Sequence, residues 1–109
     1  HLGLTYDMLK EVKPDLIMLS LPGFGQSGPY KYYRVLGAHQ EGFCGHTYTR
    51  GYTDMDFTVS TTLFHTDEAG GATGALAVVL ALYHRRRTGR GQHIDMAQSE
   101  ATIPPWGRR

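Results

Sequence analysis

Apolar and polar residues change rhythm along this chain, and the changes mark its elements. Ala72, Leu76, Val79, Leu80 and Tyr83 recur three or four apart, which predicts a helix over 67–87. Ala77, Val78, Ala81 and Leu82 fill the sides between them, so this helix is expected to be covered from more than one direction. Thr66 is the expected N-cap; acids come next and Arg85, Arg86 and Arg87 close the helix, each sign at the end where the helix dipole favours it. Gly70, Gly71 and Gly74 make the first turns slim. Each costs about 1 kcal/mol of helix propensity relative to alanine, which implies close packing or room for a ligand there.

Asp15 to Leu21 shows no alternation, as expected of a strand buried on both faces in a parallel sheet. Before it, residues 5–12 read as a helix capped by Thr5, with Tyr6, Leu9 and Val12 on one side, stopped by Lys13-Pro14. Residues 34–45 predict a helix weakened by Gly37, Gly42 and Gly45. Residues 46–65 have no clear period and are read as irregular, with a short strand near Phe57 to Ser60. Gln92 to Met96 is a second strand candidate, and a last helix begins near Ala97 before Pro104-Pro105 interrupts it. The class is α/β, and no internal boundary divides residues 1–109.

The 109 residues suffice for one small domain. A net charge of +1 implies no strongly charged partner overall. It hides a split, however: residues 1–69 carry five Lys/Arg against eight Asp/Glu, and residues 70–109 six against two. The basic run His84-Arg85-Arg86-Arg87 with Arg90 suits a phosphate, or simply complements the helix end. Nucleic acid would need a wider basic surface with aromatics on a platform, and is not expected. The single Cys44 excludes an internal disulfide and suits a reducing cytosol. That cysteine usage is the ground for expecting a cytoplasmic protein; separately, no apolar run is long enough to span a membrane.

Three places carry candidate chemistry. Asp67 stands at the head of the long helix, beside Gly70 and Gly71, where backbone can approach a substrate closely. That is a setting for a carboxylate nucleophile, and equally for a helix cap. Gly23-Phe24-Gly25-Gln26-Ser27-Gly28 comes after the first strand and formally matches a dinucleotide fingerprint, but Pro29-Tyr30 opens no suitable helix and no acid closes a second strand. Lys-Ser/Thr is also missing where a P-loop needs it. His39, Cys44, His46 and His65 have no metal-ligand spacing, and no metal is expected. Glu41 has no role that the sequence assigns.

Taken in order, Leu16-Ile17-Met18-Leu19-Ser20, the loop Gly23 to Tyr30, Asp67-Glu68-Ala69-Gly70-Gly71, and the run Arg85-Arg86-Arg87-Thr88-Gly89-Arg90-Gly91-Gln92-His93-Ile94-Asp95 resemble the family III CoA-transferases of the CaiB/BaiF type. The resemblance covers nearly the whole chain. It implies an internal piece of a Rossmann-like parallel-sheet domain from an interlocked homodimer. It implies CoA transfer from an acyl-CoA to a free carboxylic acid, with a coenzyme A thioester as substrate and no tightly bound cofactor. Asp67 falls at the family's nucleophile position, four before Gly71 and 21 before Thr88. Gly23, Phe24, Gly25 and Gln26 fall on its glycine loop near the CoA site, and Gly70 and Gly71 are candidates for close backbone approach to substrate. The alternative within the superfamily is alpha-methylacyl-CoA racemase chemistry. There a histidine precedes the aspartate, but Leu36 occupies that position and His39 lies three residues away. A further alternative is an inactive piece: with the other layers missing, the isolated chain is expected to aggregate and not to bind CoA.

Overall fold

The computed structural model describes residues 3–56, 59 and 64–103. In chain order it contains α1 (Tyr6–Val12), β1 (Ile17–Ser20), α2 (Gly37–Phe43), α3 (His46–Thr49), α4 (His65–Thr88), β2 (Gln92–Asp95) and α5 (Gln98–Thr102). The expected strand at Phe57 to Ser60 and the break at Pro104-Pro105 lie outside the described residues. Thr5 caps α1 as expected, its Oγ1 accepting from the Met8 N–H at 3.4 Å. Of the face expected on that helix, Tyr6 stacks on the His93 ring at 5.2 Å while Val12 is exposed.

β1 and β2 pair in parallel, Ile17 opposite Gln92 through Ser20 opposite Asp95. The pairing requires close backbone approach at the strand entry. A Cβ on Gly91 would run into the backbone of Asp15 and Leu16. Burial of β1 on both faces is not what the described residues show: only Ser20 is buried, and Ile17 to Leu19 are intermediate. The reason is that β1 has one neighbouring strand here, with α4 against it.

The long helix spans the predicted segment, but its inward face differs from the expected one. Thr66, Gly70, Gly74 and Ala81 are buried, spaced to fall on one stripe. A Cβ on Gly74 would stand 3.1 Å from Leu19 Cδ2, and one on Gly70 would stand 2.7 Å from Gln98 Cγ. Small residues thus bring the α4 backbone down onto β1 and α5. Leu76, Val79, Leu80 and Tyr83, the large residues of the predicted apolar stripe, remain more than half exposed. No described helix is long and apolar enough to cross a membrane.

Candidate functional site

Parallel strands run out on the same side of a sheet, so the segments leaving β1 and β2 meet at one edge. The backbone continues the ladder beyond both strands. Met96 N–H donates to Ser20 O at 2.9 Å, Gln98 N–H to Pro22 O at 3.1 Å, and Ser99 N–H to Gly23 O at 3.0 Å. The glycine loop after β1 is therefore stitched to the start of α5 after β2. Gln26 N–H reaches both oxygens of Asp95, at 3.0 and 3.2 Å, and Gly25 turns with φ of 76°. Such an edge, at the carboxyl ends of parallel strands, is where open α/β sheets take ligands.

Asp67 lies at this edge. It sits in the first turn of α4, exposed, and its Oδ1 accepts from Gln98 Nε2 at 2.5 Å. The same Nε2 also donates to Thr66 O at 3.3 Å. On the other side, a Cβ on Gly37 would collide with Asp67 Oδ2 and stand 2.7 Å from Phe64 Cβ. Gly37 and Gln98 thus hold the carboxylate between α2 and α5. Its contact with Gln98 joins residues 31 apart, which no local pattern records. We predict that Gly37→Ala in the whole protein lowers turnover about 100-fold, the scale of an ångström misplacement of a reacting group. Steady-state kinetics check this, and unchanged turnover would show that the carboxylate is not held there.

The loop residues divide. Gly23 packs against Val35 and Gln40, which leave no room for a Cβ, and its carbonyl also accepts from Ser99 Oγ at 3.0 Å. Phe24 joins an aromatic group with Tyr30, Tyr33 and Phe43, its ring 4.7 Å from that of Phe43. Phe24 and Gly25 line a cleft of about 400 Å³ that Tyr30, Phe43 and Asp95 also line; Asp67 does not line it. Gln26 lines a second, more open cleft with Lys31 and Arg34. Gly70 is filled by Gln98 packing, whereas Gly71 has nothing within 4 Å of its Cβ position. Among the described residues, Gln98 thus covers Gly70, and no neighbour covers the Cβ position of Gly71.

The start of α4 corrects the expected cap. Phe64 is the N-cap and offers no side-chain hydrogen bond; Thr66 lies inside the helix and its Oγ1 donates to Gly37 O at 3.3 Å. The orphan His65 N–H is taken instead by Glu41 Oε1, at 2.5 Å, from α2. Glu41 is 1% exposed, and its Oε2 meets Arg50 Nη1 at 2.8 Å and His46 Nδ1 at 3.2 Å. Burial pushes its pKa up, but the His65 N–H, Arg50 and His46 outweigh burial and hold it below the ordinary glutamate value. The potential ligand atoms of Glu41, His46 and His65 lie within 4.8 Å of one another, a grouping the sequence spacing did not suggest. Cys44 stays out of that group; its Sγ donates to Ser99 O at 3.7 Å, and burial raises its pKa. Arg85 reaches Asp15, 70 residues earlier, and Arg87 donates to Tyr83 Oη one turn back.

The decisive observation is a match to the CoA-transferase family III model over residues 1–107. The chain belongs to this family. It is 42% identical over 107 residues to the succinyl-CoA–L-malate CoA-transferase beta subunit of Chloroflexus aurantiacus, covering 93% of this chain and 25% of that one. It is 33% identical over 103 residues to the acetyl-CoA:oxalate CoA-transferase of Acetobacter aceti, covering 94% and 26%. Its fold matches a CAIB/BAIF family protein from Brucella suis at a TM-score of 0.84 and 35% identity, over 93% of this chain and 26% of that one. The chain thus spans about a quarter of the length of the relatives it matches.

Proposed function

We propose that this chain carries the nucleophile of a CoA-transferase that moves CoA from an acyl-CoA to a free carboxylic acid, and that Asp67 is that nucleophile. The observation that carries the reading is the exposed Asp67 carboxylate, set in the first turn of α4 and held by Gln98 at the C-terminal edge of the parallel strands. The named activities of the similar proteins agree with it. In this reading residues 1–109 form part of a larger Rossmann-like parallel-sheet domain, in a cytoplasmic protein that works as an interlocked dimer. Phe24, Gly25 and Gln26 border the CoA path, and Gly71 offers backbone to the substrate.

The reaction needs four balanced displacements. Asp67 attacks the thioester carbonyl, the C–S bond breaks, and CoA leaves as thiolate, giving an acyl–aspartyl anhydride. The thiolate attacks the aspartyl carbonyl, releases the donor acid as carboxylate and leaves an aspartyl-CoA thioester. The acceptor carboxylate attacks that carbonyl and displaces CoA thiolate. The thiolate then attacks the acceptor acyl carbon and frees Asp67. A carboxylate suits this role because its acyl derivatives stay reactive enough to pass CoA on. The Gln98 amide, donating to one oxygen, leaves the other to attack.

Racemase chemistry is disfavoured by the residue at the start of α2. Leu36 is exposed and cannot act as a base, and the Nδ1 of His39 is engaged as acceptor of the Leu36 N–H at 3.2 Å. The test uses the whole protein with an acyl-CoA and no acceptor. Mass spectrometry is expected to find an acyl or CoA adduct on the peptide containing Asp67. A 2-methylacyl-CoA incubated in heavy water is expected to take up no deuterium at its alpha carbon. Rapid exchange without an adduct would replace the transferase reading by the racemase one.

A further inference from the structure

Glu41 is a buried carboxylate that the transfer steps do not use, and it touches the helix that carries Asp67. We propose that Glu41 is a positioning residue: a cap supplied by α2 that fixes where α4 begins and so where Asp67 points. The inference rests on Asp67 being the nucleophile.

A helix of this length leaves its first N–H groups without partners, and a side chain at the N-cap ordinarily satisfies one. Here that position holds Phe64, which cannot. Glu41 accepts from the first helical N–H, that of His65, two residues before Asp67. Its negative charge also sits at the positive end of the α4 dipole. A carboxylate 1% exposed needs compensating charge, and Arg50, on its Oε2 at 2.8 Å, supplies it. His46 contacts the same oxygen, and its ring meets the His65 ring edge to face at 4.8 Å. The cap is therefore clamped from α2, from α3 and from the residue after α3. The first turn of α4 cannot rotate or fray without breaking it. Gly37, on the same short helix as Glu41, is the wall against Asp67 Oδ2. One helix thus sets both the start of α4 and the space beside its carboxylate.

The alternative use of Glu41, His46 and His65 is a cation site with two imidazoles and one carboxylate. The observed contacts argue against it. Oε1 already accepts the His65 N–H, and Oε2 already faces a guanidinium, which would repel a metal ion placed beside it.

The test compares the wild-type whole protein with Glu41→Gln, Glu41→Asp and Asp67→Asn. Glu41→Gln keeps the size but loses the charge that Arg50 and the helix start require; Glu41→Asp keeps the charge but falls one methylene short. Both are expected to lower kcat about 10- to 100-fold while KM for the acyl-CoA changes less than about threefold, the split expected when a reacting group is misplaced and binding is kept. Amide hydrogen exchange is expected to speed up over residues 65–68 and to stay unchanged over 76–86. Slower turnover with unchanged exchange at 65–68 would overturn the positioning role, as would full kcat in both Glu41 variants. Stoichiometric metal in the purified wild type, lost in Glu41→Gln, would overturn it in favour of a cation site. Activity persisting in Asp67→Asn would instead remove the nucleophile reading, and the exchange data would still report whether Glu41 caps α4.

Discussion

Asp67→Asn in the whole protein is expected to abolish CoA transfer, lowering kcat by at least about 1000-fold, with the fold and the melting temperature essentially kept. The substitution is nearly isosteric, and Asn can still accept from Gln98 Nε2 through its amide oxygen. The variant loses the nucleophilic carboxylate oxygen, and with it every covalent step of the exchange. Of the neighbouring carboxylates, Asp95 is committed through both oxygens to the Gln26 N–H, and Glu100 lines the cleft that Asp67 does not line. Rate measurements with a donor and an acceptor acid, alongside a thermal melt, check the prediction. Residual activity above a few per cent of wild type, in a variant that melts like wild type, would end the nucleophile role.

The second large effect is on stability. Gly91→Ala should destabilise the protein by about 3 kcal/mol, at the upper end of the overpacking range, because its new methyl meets backbone rather than a side chain that can swing aside. The atoms in the way are the carbonyls of Asp15 and Leu16, immediately before β1. To relieve the clash, the entry to β2 must move away from β1 and the register of Ile17 on Gln92 must loosen. Gly42→Ala is the matched control: it lies on α2, exposed, with nothing within 4 Å of its Cβ position. There alanine should leave stability equal or raise it by about 0.5–1 kcal/mol through helix propensity. Denaturant midpoints and soluble yield of the two variants decide the matter. Equal midpoints would mean that the strand entry yields easily.

Sequence pattern foretold the elements wherever the decisive contacts are local. The Thr5 cap, the span of α4, both strands and the start of α5 come from spacing, end charges and breakers within a few residues. Parallel pairing agrees with the run without alternation at Asp15 to Leu21, although the burial of that strand on both faces, from which it was read, is not seen among the described residues. The cap of α4 was not. Thr66 has the right chemistry for an N-cap, but Glu41, 24 residues before His65, supplies a charged acceptor to that earlier N–H. The hydroxyl of Thr66 then serves Gly37 instead. The face that α4 turns inward was misjudged for a related reason. Periodicity weights large apolar residues, which stay exposed, whereas the close packing that the glycine-rich first turns imply is found at Gly70 against Gln98 and at Gly74 against Leu19. The Gln98 contact to Asp67 and the short α3 had no sequence signal: one depends on where the chain returns, the other on four residues without a period. The placement of Asp67 at a helix start was legible; the side chains that hold it there were not.

The pairing of β1 with β2 also sets an order of events at the ribosome. Ser20 and its hydrogen-bonding partner His93 are 73 residues apart. At about 5–20 residues per second, synthesis of that interval takes roughly 4–15 s. Throughout it, the segment from Leu16 to Leu21 has emerged without the strand it pairs with in the folded chain, its N–H and C=O groups open along that edge. Such an edge is a template for pairing with another nascent chain. About half of this wait passes while α2, α3 and α4 are being made, so these helices are available to fold before the sheet exists. Among the described elements the Asp67 edge is completed when α5 arrives and ties Pro22 and Gly23 to Gln98 and Ser99.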